Sequence, residues 1–319
     1  MKQSVVPTWV TEMFLFAVSI DTDPELLLAR VLDGFRFGAG YGGLALALVM
    51  IYKATGVLNF AQGELALLGV YIAWALGVGW GWPIFLAILV AMAVTASLAA
   101  GIERTIIRPF DPTNHLPLVI VTLGLFLSIN SFVAVVWSTD LKALPSIFPD
   151  GDVFSVGVAH LRWSALGVFL SVLAMLGAVT LLLNRTKVGL AFRAVSSNID
   201  SAELVGIRIG PTLQFGWALA AAIGTLAGTL LVPELDVVDP NVMLSSLVFA
   251  FAAAALGGLD SPKGAVIGGI LVGLIRSVVV QSVSFIPSEL SVGAAVFVIL
   301  LVLLFKPSGL FGSSKVVRV

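Results

Sequence analysis

Asn59, Gln62 and Glu64 stand in a stretch, Lys53–Glu64 (KATGVLNFAQGE), that interrupts an otherwise apolar pattern. Unpaired backbone at membrane depth is tolerated only where it lines a polar cavity or is buried in protein. Two amides and a carboxylate at such a break can meet a zwitterionic or amide-bearing solute. Glu64 has a second reading, because a carboxylate at the start of the helix from Leu65 complements its N-terminal dipole. Arg276 is a lone charge in the apolar segment that begins at Gly264. At 1.5 Å per residue it stands roughly 18 Å from the helix start, inside the hydrocarbon. A guanidinium there is costly unless it snorkels or pairs. The external end is the nearer one, so snorkelling outward is the first expectation. An ion pair with Glu64, with a partner subunit's acid, or with a solute carboxylate are the others.

A further group is the polar interval Asn184–Gly210, NRTKVGLAFRAVSSNIDSAELVGIRIG, which carries Arg185, Lys187, Arg193 and Arg208 against Asp200 and Glu203. It lies between the charge-free segments Trp163–Leu183 and Pro211–Val232. A short loop rich in Lys and Arg is retained on the cytoplasmic side. Leu190, Ala194, Ala202 and Val205 recur at helical spacing, so Leu190–Leu204 is expected as a short amphipathic helix at the membrane surface. A loop of this length has more to do than join two spans; it is built to be touched.

The elements that hold these groups follow from composition. Of 319 residues, 59% are hydrophobic and only 11% charged, and the mean hydropathy is +1.09. A soluble domain carries roughly 25% charged residues. The fold class is therefore an all-α polytopic membrane protein. A net charge of −1 provides no basic field for nucleic acid. The absence of cysteine excludes disulfides, thiolate metal sites and cysteine nucleophiles. His115 and His160 are too far apart in sequence to suggest a metal cage. No nucleotide-binding phosphate loop, catalytic triad or metalloprotease signature occurs, so the chain is expected to be no enzyme and to need no cofactor. If ATP drives it, separate polypeptides hold the ATP.

Along the chain, Val5–Ile20 reads as a weak helix and no convincing signal peptide, and Asp21–Glu25 as a turn. Phe37–Tyr52 is a span with a glycine-rich start, as close packing in lipid allows. The charge-free run Leu65–Ile102 is too long for one helix and breaks at Gly77–Pro83. Leu116–Thr139 and Trp163–Leu183 flank an external loop, Asp140–Arg162. Pro211–Val232, Val242–Leu256, Ala265–Val283 and Leu290–Phe305 follow, and the basic tail with Lys306, Lys315 and Arg318 returns to the cytoplasm. About eight spans are expected, within a range of about 8–10. The whole of 1–319 reads as one transmembrane domain, with half-repeats at about 35–184 and 211–306, a coupling loop 185–210 and a tail 307–319. The repeat rests on Gly56–Gly63 (GVLNFAQG), which aligns without gaps on Gly257–Gly264 (GGLDSPKG) and makes Asp260 the counterpart of Asn59. Duplicated broken helices are a transporter device.

Three stretches, Thr55–Trp74, Val188–Ile207 and Ala254–Ile275, together resemble the permease subunits of branched-chain amino acid ABC importers, closest to the LivH-like member of the LivH/LivM pair. The resemblance runs from about Phe35 to Phe311. It implies an inner-membrane permease in the lipid bilayer, paired with a second permease of similar fold. It also implies two cytoplasmic ATPase subunits and a periplasmic substrate-binding protein. Asp200–Gly206 resembles a degenerate form of the E-A-A-x-x-x-G helix by which such permeases dock on their ATPase. On that resemblance Asp200, Ala202 and Gly206 take the motif positions, with Arg193 and Glu203 flanking. Arg276 departs from the family, where an acid is common, which keeps urea and short-chain amides open as alternative solutes to branched-chain amino acids. A proton- or sodium-coupled transporter using Glu64 or Arg276 is the rival from another class.

Overall fold

The computed structural model describes residues 23–110, 115–235, 237–280, 291–305 and 308–312. The helix expected over Val5–Ile20 and the basic residues of the tail lie outside them. The described chain is helical almost throughout: α1 (Pro24–Thr55), α2 (Gln62–Trp74), α3 (Ile84–Ile102), α4 (His115–Trp137), α5 (Trp163–Arg185), α6 (Lys187–Ser197), α7 (Ile199–Leu204), α8 (Ile209–Leu231), α9 (Val242–Gly257), α10 (Pro262–Leu274) and α11 (Ser291–Phe305). Among the described residues seven helices are long and apolar enough to cross a membrane. The apolar helices α9 and α11 are shorter, at 16 and 15 residues.

Helix α1 starts earlier than its apolar pattern suggests. The turn residues do the starting: Asp23 Oδ1 accepts from Glu25 N at 3.0 Å, and Pro24 occupies the first helical position. The resulting 32-residue helix is the axis of the bundle, its apolar window 83% buried, against 17% for α4. Composition explains the difference. Gly34, Gly38 and Gly42 form a flat stripe on α1, and Gly269 and Gly273 form another on α10. A methyl group placed on Gly38 would meet Ile270 Cα at 2.8 Å and the Gly269 carbonyl at 2.9 Å. Lipid tails offer helices no hydrophobic reason to associate, so backbone approach of this kind is the main adhesive. The other side of α1 packs on α8 by the same device, with Gly43 against Ala227 and Gly216 against Ala54. Large apolar side chains on α3, α4 and α5, such as Leu89, Leu127 and Leu181, point outward, as lipid-facing positions should.

The repeated motif has a structural counterpart. Each copy is a break followed by a helix of 13 residues that widens into a π-helical turn, Ala75–Gly79 after α2 and Ile275–Val280 after α10. Each break opens with a glycine in the left-handed region, Gly56 at φ 71° and Gly258 at φ 108°. The two breaks meet: Lys53 Nζ donates to the Asp260 carbonyl at 2.9 Å. Beyond α11 the chain crosses the second break, where Leu310 N and Phe311 N donate to the carbonyls of Leu256 and Gly257. Those carbonyls end α9 and would otherwise be orphaned.

The segment expected as an external loop contains a β-hairpin, β1 (Asp152–Val156) paired antiparallel with β2 (Ala159–Arg162). Since α5 separates the hairpin from α6 and α7, these mark opposite ends of the bundle, the hairpin end and the loop end. At the hairpin end Lys142 and Val238 exchange backbone hydrogen bonds of 3.0 and 2.8 Å, tying the α4–α5 connection to the α8–α9 connection.

Candidate functional site

The first break lies inside the span. Gln62 Nε2 donates at 3.0 Å to the carbonyl of Ala220, and Ala220 sits eleven residues into α8, about 17 Å from its start. Asn59 Oδ1 accepts from Ala61 N at 3.0 Å and so shapes the break itself. Glu64 falls in the first turn of α2, and its carboxylate accepts from Asn130 Nδ2 at 3.2 Å. Asn130 also donates to the carbonyl of Pro240 at 2.7 Å, so one amide ties the first turn of α2 to the chain entering α9. Asn59, Gln62 and Glu64 are all buried. Asn59 Nδ2 and Gln62 Oε1 make no hydrogen bond within the described chain. Buried polar atoms without partners are expensive, and both stand at the first break. Asn130 was missed in the sequence, though a lone amide in the apolar run of α4 was a signal.

Arg276 does not snorkel and does not pair with Glu64. Its guanidinium donates to the Tyr41 hydroxyl and lies 4.9 Å from the Phe37 ring centre, 5.8 Å from that of Tyr41 and 5.1 Å from that of Phe249. Helical side chains tilt toward their own N-terminus, which for α10 is the break. That directs Arg276 back into the bundle, toward Tyr41 and away from the hairpin end. Glu64 is engaged instead by Asn130.

The loop is two helices where one was expected. Asn198 ends α6 and caps α7, its Oδ1 accepting from Ser201 N at 2.7 Å. The side chains that seat the loop are Phe192, Val195 and Ala202, all buried, with Phe192 pressed into the notch that Gly216 leaves on α8. Of the expected stripe only Ala202 is buried; Leu190 is 60% and Val205 74% exposed. Within α6 the buried face is Gly189, Phe192 and Val195, so Leu190 lies off it before the break, and Asn198 then ends the helix. Arg193, Asp200 and Glu203 are exposed on these helices. Gly206 ends α7 at φ 82°, where Ile207 N donates to the Ala202 carbonyl at 3.0 Å and a side chain would meet nothing.

A clamp that sequence reading missed joins this loop to the bundle. The chain after α3 closes as a π-helical turn, Glu103–Ile107, in which residues five apart stack. Arg108 therefore grips buried Glu103 with contacts of 3.2 and 2.5 Å. The same guanidinium reaches the Gly210 carbonyl at 3.0 Å, and Gln214 Nε2 reaches the Ala100 carbonyl at 3.1 Å. Arg108→Ala leaves the Glu103 carboxylate buried without its cation and should cost about 2 kcal/mol, measured as a lower melting temperature in detergent. Arg104→Ala, on an exposed side chain, should leave that temperature unchanged.

Among the described residues no group of three or more His, Asp or Glu side chains gathers to hold a metal. The family profile described as "Branched-chain amino acid transport system / permease component" matches residues 30–305. The chain belongs to that family. It is 27% identical over 310 residues to the high-affinity branched-chain amino acid transport system permease protein BraD of Pseudomonas aeruginosa, covering 93% of this chain and 100% of that one. It is 28% identical to LivH of Escherichia coli, covering 92% and 97%. It is 30% identical to a probable LivH permease of Methanocaldococcus jannaschii, covering 84% and 87%. It is a multi-pass inner-membrane permease subunit and not itself an enzyme.

Proposed function

We propose that this permease carries branched-chain amino acids, delivered by a periplasmic binding protein, through a path it forms with a second permease subunit. The loop end faces the cytoplasm and the hairpin end the periplasm, as the basic residues of Asn184–Gly210 require. Two ATPase subunits dock on α6 and α7 of the permease pair. The observation that carries this reading is the end of α7: Leu204 is 89% and the following Val205 74% exposed beside the acids Asp200 and Glu203, while Ala202 on the same helix is buried. An apolar tip on a rigid mount is what a cleft in another protein can grip and push. Arg193 and Gly206 complete the docking surface.

Movement of that surface reaches the path through α8. Gly210 and Gln214 tie its start to α3, and Ala220 holds Gln62 at the first break. Asn59, Gln62 and Glu64, with Asp260 from the second break and Arg276, form the polar part of the path in an alternating-access cycle. ATP drives the cycle because its binding favours one of the two arrangements. The half-repeats 35–184 and 211–306 contribute one break each.

The test is uptake of radiolabelled leucine into proteoliposomes holding the permeases, ATPases and binding protein. ATP-dependent leucine uptake is expected, with no uptake of urea or acetamide. Import of urea or acetamide instead of leucine would transfer the assignment to the amide branch. In the same vesicles Gln62→Ala should lower leucine uptake about tenfold, by cutting one net hydrogen bond that links the break to α8. Unchanged uptake would remove Gln62 from the path.

A further inference from the structure

Arg276 lies in a π-helical turn within a span, a place where irregular helices commonly carry function. Among the described residues no carboxylate reaches it within ion-pair distance. What holds it is neutral: one hydroxyl, of Tyr41, and the faces of Phe37, Tyr41 and Phe249. Tyr41 and Phe249 are themselves buried and stack at 4.9 Å, so the box is rigid. Aromatic faces steady a guanidinium without neutralising it. A guanidinium has five N–H donors in a planar fork suited to a carboxylate, and among the described residues only the Tyr41 hydroxyl takes one of them.

The box also connects to the hairpin end. The Phe37 ring that carries Arg276 lies 4.7 Å from the guanidinium of Arg36 as well. Arg36 pairs with Glu234 at 2.7 Å and lines a cavity of about 460 Å³ with Asp152, His160 and Arg162. A neighbouring cavity of about 440 Å³ shares Asp152 and Arg162 and has Glu234 in its wall. Both cavities mix acids and guanidinium groups, and the side chain of Arg162 makes no hydrogen bond or ion pair among the described residues. Arg36, at the polar cleft, and Arg276, within the span, thus share the ring of Phe37, and Arg36 is already held by Glu234 with Asp33 beside it.

We propose that Arg276 is the intramembrane contact for the carboxylate of the transported solute, which enters past Arg36 and restricts this permease to solutes with a free α-carboxylate. The inference rests on the transport function proposed above and narrows it. A solute carboxylate supplies the charge that the box lacks, and the apolar walls of Phe37 and Phe249 suit an aliphatic side chain. Urea and simple amides bring no anion and gain nothing from the fork. A carboxylate of a second permease subunit has the same chemistry, and the experiment separates it from the solute.

The experiment is photolabelling of the purified assembly with photoleucine, followed by peptide mapping and competition. Label is expected on α1 and α9 near Tyr41 and Phe249. Leucine should compete about 10- to 100-fold better than leucinamide, the range set by one charge-assisted hydrogen-bonded contact. In Arg276→Gln the two competitors should become equal, while Arg276→Lys keeps part of the preference. A variant that only misfolded would lose label without changing the ratio, so the ratio carries the test and size-exclusion profiles check assembly. Label elsewhere, equal competition on the native protein, or discrimination retained in Arg276→Gln would each overturn the inference. Separation of the permease pair in Arg276→Gln, with solute discrimination retained, would assign the fork to the partner subunit. Leucine uptake by the native system is read in parallel. Uptake without Arg276-dependent discrimination defeats this inference alone, and no uptake at all defeats the function beneath it.

Discussion

Gly38→Leu should abolish the folded protein. The first carbon of any side chain at that position meets backbone, Ile270 Cα at 2.8 Å and the Gly269 carbonyl at 2.9 Å, and backbone of a packed helix cannot step aside as a rotamer can. Helices α1 and α10 would have to separate along their whole glycine seam, losing the close contact that holds membrane helices together. The cost should be about 3 kcal/mol, the upper part of the range for overpacking, and enough to empty the monodisperse peak in size-exclusion chromatography. Gly177→Ala on α5 is the control. A methyl group there meets nothing within 4 Å, and alanine is a better helix former by about 1 kcal/mol. That variant should be recovered at native yield or above. A normal peak for Gly38→Leu would mean that α1 and α10 do not pack as described.

Leu204→Glu should have the opposite signature, an intact fold with no ATPase attached. The side chain is 89% exposed, so its replacement removes no packing inside the chain. Docked in an ATPase cleft it would be buried. Introducing a carboxylate there combines the loss of about 2 kcal/mol of apolar burial with the cost of an unpaired charge. Recovery of the permease should be unchanged, and ATPase subunits retained on the affinity column should fall by at least about 30-fold, as that loss of burial alone converts. Ala202→Glu differs, because Ala202 is buried in the seat of α7; it should lower both recovery and retention. Equal ATPase retention by native and Leu204→Glu permease would place the docking surface elsewhere.

Much of the fold is legible in the sequence because lipid allows few solutions. An apolar run must be a helix, which is why the spans from Leu65 to Leu183 stand close to where hydropathy put them. The motif at Gly56–Gly63 and Gly257–Gly264 was legible too, and the structure adds matching 13-residue helices and π-helical turns behind both copies. What failed to show was set by direction or by distant partners. Hydropathy reports the depth of Arg276 but not that its side chain tilts toward the start of α10 and finds Tyr41. The pairing of Glu103 with Arg108 needs a five-residue turn, whereas ordinary helical reading looks three and four residues ahead. The stripe chosen for the loop began on Leu190, whereas α6 buries Gly189, Phe192 and Val195, and Asn198 ends that helix. Asn130 meets Glu64 across 66 residues of chain, a distance over which periodicity says nothing.

The most direct measurement is a pull-down of tagged native permease from mild detergent, beside a Gly206→Arg variant. Gly206 sits at φ 82°, a conformation that costs an ordinary residue about 1–2 kcal/mol, and an arginine there would project from the end of the docking helix. ATPase subunits should co-purify with the native protein and be lost from the variant, while both permeases are recovered at similar yield. Native permease that purifies without any ATPase, and still moves leucine into vesicles on an ion gradient alone, would contradict an ATP-driven importer and turn attention to Glu64 and Arg276 as coupling groups.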